Sequence, residues 1–168
     1  MYLFENEIIN ISKIYTVNMY EMKTDSSIKN IIHYPSKLSA YELIFFISGE
    51  LLTCFNGNML KDTANSIRYL PKDISGGEYT VEKIASSLCI DIFFDTFDEM
   101  PDYAVSLKNM NELKPLFTKI YNIWNSKELG FYSECMSIFY DIIKKIKKHT
   151  NRYLTDIQAK KYCLLTII

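Results

Sequence analysis

Histidine is scarce in this chain, which has 168 residues and only two histidines, His33 and His149. A catalytic metal site needs several nitrogen or oxygen ligands that converge on one point. The two histidines are far apart in sequence, and His149 follows a long helical pattern. We therefore expect no metal site, no metal-dependent chemistry and no other cofactor.

Cysteines are also few, and their spacing carries no recognisable motif. The four residues form no CxxC pair and match no zinc-binding pattern; they are Cys54, Cys89, Cys135 and Cys163. The first two fall in strand-like runs and the last two in helix-like runs. The sequence thus predicts reduced thiols that pack as small apolar side chains.

Long apolar runs and an excess of one charge are missing as well. No run is long enough to cross a bilayer, and the first ten residues lack the basic and apolar regions of a signal peptide. The formal net charge of -1 gives no global attraction to nucleic acid or to an anionic membrane. These absences predict a cytoplasmic protein with no membrane partner. The length of 168 residues is enough for one compact domain or for a small domain with an appendage.

The common signatures of catalysis do not occur either. There is no G-x-S-x-G, no cysteine with an evident histidine partner, and no glycine-rich phosphate loop, because the five glycines are scattered at turns. Among the neighbouring carboxylates, only Asp91 lies between apolar residues, where water is scarce. Such a carboxylate needs a partner, such as Arg68, or a polar cavity. We expect no enzymatic activity.

What the sequence does contain is a series of strand patterns up to about Asp95. The most informative stretch runs from Tyr41 to Pro71. An apolar strand enters a turn at Ser48-Gly49-Glu50, a second strand stops at Asn56-Gly57, and after a polar link a third occupies Ile67–Leu70. Further strands are predicted at Ile8–Met19, Ile28–Tyr34, Glu78–Ile84 and Ser87–Phe94. Short strands separated by polar turns predict an antiparallel barrel or sandwich.

From about Asn109 the apolar residues recur at helical spacing. One helix begins near Pro115, which suits a first turn, and ends near Lys127, before Gly130. A second helix carries apolar residues at i, i+3, i+4 and i+7 from Tyr132 to Ile146, so the two predict a helical hairpin. A third helix, Asp156–Ile168, is predicted to start at a Thr155 cap.

In this order, the YELIFFISGE strand, the Asn-Gly hairpin and the strand before Pro71 resemble the N-terminal cupin-type sensor domain of AraC-family transcription regulators. The two helical segments, LFTKIY and YSECM with its continuation IIKKI, resemble the helix pair that follows the barrel there. The resemblance covers essentially the whole chain. One departure is that Thr63-Ala64-Asn65-Ser66 replaces the usual Pro-Gly-Asp turn.

The resemblance implies a mainly-β fold, in which a cupin-like antiparallel β-barrel (1–108) is followed by a dimerising α-helical hairpin (109–150). Residues 151–168 would be a linker and the start of a helix-turn-helix DNA-binding domain that is absent here. The implied partners are a small-molecule effector inside the barrel and a second copy in a homodimer, with DNA bound only through the absent domain.

The resemblance also implies an effector pocket. It directs the Ile47 face of one strand and the Cys89–Asp91 face of another toward the effector, which gives the candidates Phe45, Ile47, Arg68, Cys89 and Asp91. Because Ile47 and Cys89 are apolar, a small or hydrophobic effector is favoured over a sugar. Plain core packing of the same side chains is the alternative, since barrels of this size are often filled by side chains.

The long second helix has apolar residues beyond a single stripe, so that one stripe can cover the barrel and another can meet a twin subunit. The predicted dimer residues are Ile138, Phe139, Ile142, Ile143 and Ile146. The basic segment from Lys144 to Arg152 is interpreted as a solvated helix end.

Two rival functions stay open: a stand-alone cupin-type isomerase or epimerase, and an interaction protein that pairs with full-length regulators without binding DNA.

Overall fold

Seven strands precede two helices in the computed structural model, which describes residues 11–22, 32–33, 38–55, 57–74, 77–94 and 103–165. The strands are β1 (Ile11–Met22), β2 (Ile32–His33), β3 (Tyr41–Phe55), β4 (Asn58–Thr63), β5 (Ile67–Leu70), β6 (Glu78–Phe94) and β7 (Val105–Leu107). A 3-10 turn at Asn111–Leu113 leads into α1 (Lys114–Ser126) and α2 (Phe131–Leu165). The predicted mainly-β fold with C-terminal helices is confirmed.

All strand pairs are antiparallel, and the sheet has the order β1-β6-β3-β5-β7, with β2 added to β6 and β4 added to β3. The long strands β3 and β6 form its centre. One edge of β3 pairs with β6, and the other pairs first with β5 and then with β4. In the described part of the chain the sheet does not close into a barrel, because β1 and β7 end the strand order.

The two central strands bend at Gly49. The register between β3 and β6 shifts three times from Phe46 to Leu51, and Gly49 has a φ of +85°. Arg68 lies opposite Ile44, yet its Nη2 atom is 2.5 Å from the Thr53 hydroxyl. Ile44 and Thr53 would be about 30 Å apart in a straight strand. The part of the sheet that follows Gly49 on β3, with Thr53, therefore folds over the part that precedes it, with Ile44.

This bend corrects two predictions. The segment around Gly49 is a β-bulge inside one long strand, not a turn between two strands, and β6 is one strand where two were predicted. A bulge bends the strand while most of the ladder hydrogen bonds continue, so a glycine signal can be misread as a turn. A strand, β4, also occupies the segment after Phe55 that was predicted as a polar link. It pairs with β3 from Asn58 opposite Phe55, so β3 and β4 form a hairpin there.

Strand alternation creates two cores on opposite faces of the sheet. The helix face, which α1 and α2 cover, carries Tyr41, Leu43, Phe45, Ile67, Tyr69, Leu88, Ile90 and Ile92. Phe45 stacks on Phe117 of α1 with ring centroids 5.3 Å apart. The inner face, between the folded halves of the sheet, carries Ile44, Phe46, Leu51, Phe55, Leu70, Val81 and Cys89.

The helical hairpin forms largely as predicted. Pro115 lies in the first turn of α1, and Lys127 ends the helix in a left-handed conformation with a φ of 52°. The separate third helix is wrong, because α2 runs unbroken from Phe131 to Leu165. No glycine or proline interrupts the sequence around Thr155, so this residue is helix interior rather than a cap. Residues 166–168 lie outside the described part.

Candidate functional site

A buried ion pair lies on the inner face. Arg68 of β5 binds the carboxylate of Asp62 of β4, and both side chains are fully buried. Ser106 of β7 donates a hydrogen bond of 2.6 Å to the other Asp62 oxygen, and Thr53 of β3 contacts Arg68. One carboxylate thus connects three strands of the folded sheet.

Aromatic rings complete the surroundings of Arg68. Its guanidinium carbon lies 5.3 Å from the ring centroid of Phe46 and 5.9 Å from that of Phe55. Such cation–π contacts gain strength when the pair is desolvated. Of the two possibilities for Asp91, a cation such as Arg68 or a polar surrounding, the structure shows hydrogen bonds from Thr16 and Cys89, while Arg68 binds the carboxylate of Asp62. Only the folding of β4 over β5 brings Asp62 here.

A second polar group lies beside this ion pair, and it centres on two carboxyl groups. Glu42 of β3 and Asp91 of β6 are register partners on neighbouring strands. Asp91 accepts a hydrogen bond of 2.8 Å from the Thr16 hydroxyl at Oδ2 and one of 3.3 Å from the Cys89 thiol at Oδ1. Asn18 donates in turn to the Thr16 hydroxyl at 2.9 Å.

Glu42 has no hydrogen bond or ion pair of its own with the described residues. Burial raises the pKa of its carboxyl from an ordinary 4.5 to about 7; the charge of Asp91 raises it further and that of Arg68 lowers it. Glu42 was missed as a site candidate. The sequence contained evidence for it, because alternation in Tyr41–Ile47 puts the Glu42 carboxylate on the same strand face as the apolar residues Ile44 and Phe46.

The Cys89 thiol is fully buried among these groups. Burial raises its pKa well above the ordinary value, and the carboxylates of Glu42 and Asp91 add to the effect. Because the thiolate is the reactive form, we expect iodoacetamide at pH 7.5 to leave Cys89 unmodified in the folded protein. Peptide mass mapping with and without urea checks this. Alkylation of Cys89 at the rate of the half-buried Cys54 would contradict it.

The five predicted effector residues do not share one face. Register pairs Ile44 with Cys89 and Phe45 with Leu88, so Phe45 lies on the helix face. Ile47 packs against the same helix-face core. Cys89, Asp91 and Arg68 lie on the inner face instead. The five side chains therefore do not line one common face, because alternation assigns faces within a strand but only the register joins faces between strands. Their contact with an effector stays a prediction.

The predicted dimer residues are all part of the protomer's own core. No more than 5% of the surface of any of them is exposed; they are Ile138, Phe139, Ile142, Ile143 and Ile146. The protomer by itself buries these five side chains, and their role in a dimer stays a prediction. The reason for this burial is that α2 packs against both α1 and the sheet, so a stripe wider than one helix face is buried within one chain.

Among the described residues, no group of three or more His, Cys, Asp and Glu side chains could hold a metal ion. In the same part of the chain, none of the helices combines the length and apolar character needed to cross a membrane.

Comparison with solved structures gives a consistent fold. ToxT from Vibrio cholerae O395 bound to (E)-4-(8-methylnaphthalen-1-yl)but-3-enoic acid matches with a TM-score of 0.57 and 15% identity, over 82% of this chain and 58% of ToxT. Wild-type ToxT from Vibrio cholerae strain SCE256, bound to an unsaturated fatty acid, matches with a TM-score of 0.53 and 13% identity. The match covers 83% of this chain and 56% of the ToxT chain. The apo form of a ToxT variant from that strain matches with a TM-score of 0.58 and 14% identity, over 84% of this chain and 58% of the ToxT chain.

Identities this low show the fold alone, which is an antiparallel β-sheet followed by two helices, as predicted. The chain spans less than three fifths of the length of these ToxT chains. No protein-family model matches the sequence, and neither does any curated protein sequence.

Proposed function

We propose that this chain is the effector-sensing and dimerising domain of an AraC-type transcription regulator, whose DNA contacts are made by a domain outside this sequence. The observation that carries the proposal is the likeness to ToxT, an AraC-family regulator, over more than four fifths of the chain, sheet and helices together. The sequence resemblance points independently to the same family.

The proposed effector is small and has both an apolar and a polar part. Two ToxT structures hold carboxylic acids of this description, an aryl butenoic acid and an unsaturated fatty acid. In this chain the inner face offers an apolar group around Ile44 and Cys89 next to the polar group around Asp91. Ligand contacts by Cys89 and Asp91 stay part of the proposal, and so does the absence of enzymatic activity.

An effector that binds only the folded state raises the free energy of unfolding, by about 2.7 kcal/mol when its concentration is a hundred times its Kd, and so raises the melting temperature. We therefore expect at least one compound in a screen of fatty acids and other small metabolites to raise the melting temperature. The effect should be weaker in Asp91→Asn than in the matched surface variant Asp141→Asn. Equal responses of the two variants would remove Asp91 from the site, and a screen without any response would contradict effector binding.

Dimerisation needs a separate test, because the five predicted dimer residues are buried within one protomer. Fusion of this chain to a DNA-binding domain that acts only as a dimer should restore repression of a reporter gene. Sedimentation of the purified chain should give twice the monomer mass. A monomer at high concentration, together with an inactive fusion, would contradict the dimerising role.

A further inference from the structure

The Glu42–Asp91 pair has a geometry that responds to protons. Residues directly opposite on antiparallel strands hold their Cβ atoms about 4.5–5.5 Å apart, and like charges there destabilise the pair of strands. Asp91 accepts hydrogen bonds at both oxygens, whereas Glu42 receives none from the described residues. A proton that enters the pair therefore settles on Glu42.

We propose that the Glu42–Asp91 pair is a proton-operated latch between β3 and β6. With Glu42 protonated, its hydroxyl donates a hydrogen bond to Asp91, which has lone pairs left after its bonds to Thr16 and Cys89. With Glu42 ionised, the two carboxylates repel and loosen the strands at this point.

Three other described groups that face Glu42 keep their charge state between pH 5 and 8. Burial raises the pKa of the Tyr20 hydroxyl on β1 and of the Cys89 thiol on β6, so both stay neutral. Arg68 on β5 stays cationic and is bound to Asp62 of β4. Compared with these three groups, Glu42 is the one whose protonation changes in this range.

The sign of the effect follows from the direction of the shift. A carboxyl whose pKa is higher in the folded state binds its proton more tightly there than in the unfolded chain. Its contribution to stability is complete below the unfolded pKa, near 4.5, and is lost as the pH rises through about 7. Raising the pH from 5 to 8 should thus lower the folding equilibrium constant by roughly a hundredfold through this group alone.

The test compares wild type, Glu42→Gln and the matched exposed variant Glu82→Gln by urea unfolding at pH 5, 6, 7 and 8. Glutamine mimics the protonated carboxyl, so the stability of Glu42→Gln relative to wild type should increase with pH. Glu82→Gln should follow wild type throughout. Parallel curves for Glu42→Gln and wild type would overturn the latch.

Carbon-13 NMR of glutamate-labelled wild type provides a readout that does not depend on how the variant folds. The Glu42 side-chain carboxyl should titrate near pH 7, and in Asp91→Asn it should titrate at lower pH. A Glu42 titration near 4.5 in wild type would overturn the proposal. An unchanged titration in Asp91→Asn would also overturn it, because burial alone would then explain the shift.

Discussion

Replacement of Asp62 with alanine is expected to lower the free energy of unfolding by about 3–5 kcal/mol, as is usual when one member of a buried ion pair is removed. The change leaves the Arg68 guanidinium fully buried without the carboxylate that now faces it. It also removes the acceptor for Ser106, and with it the connection from β4 to β5 and β7. Urea unfolding followed by circular dichroism measures the loss.

The exposed pair Lys119–Glu134 provides the control. Its atoms are 3.1 Å apart and both side chains are more than half exposed. Glu134→Ala should cost at most about 1 kcal/mol, because solvent screens exposed charges. The double variant Asp62→Leu with Arg68→Met should recover much of the stability, since it buries no lone charge. An Asp62→Ala variant no less stable than Glu134→Ala would contradict the structural role of the pair.

Substitution of Gly49 with alanine is expected to destabilise the protein by about 2–5 kcal/mol, from the combined cost of a left-handed backbone and a steric clash. A Cβ atom at Gly49 would lie 2.2 Å from the carbonyl oxygen of Ile84 and 2.3 Å from the Cα of Ala85. Both atoms belong to the backbone of β6, which cannot retreat without giving up its pairing with β3. The melting temperature should fall by roughly 5–20 °C for a chain of this size.

Gly57 separates the two causes of this loss. Its φ of +80° is close to that of Gly49, but a Cβ atom there would meet nothing within 4 Å. Gly57→Ala should thus show only the conformational cost, about 1–2 kcal/mol. Equal losses for the two variants would mean that the close approach of β3 and β6 at the bend does not matter.

The amino-acid sequence by itself determined the class of fold and most of the local elements. Alternating apolar residues predicted the strands, and proline and glycine marked the ends of α1, because these signals depend only on near neighbours in the chain. Alternation also put Glu42 among apolar side chains. The lack of catalytic motifs led to the expectation that the chain is not an enzyme, and the family resemblance led to the prediction of a binding domain.

Only the tertiary structure decided which strand faces and which distant segments contact each other. The bulge at Gly49 folds the sheet over and brings Asp62 to Arg68, a contact between segments that carries no sequence pattern. Register, which long-range pairing sets, put Phe45 against the helices and Cys89 on the inner face, and it set Glu42 opposite Asp91. Helix packing likewise enclosed Ile142 and Ile143 within one chain, because a wide apolar stripe looks the same in sequence whether a sheet or a twin subunit covers it.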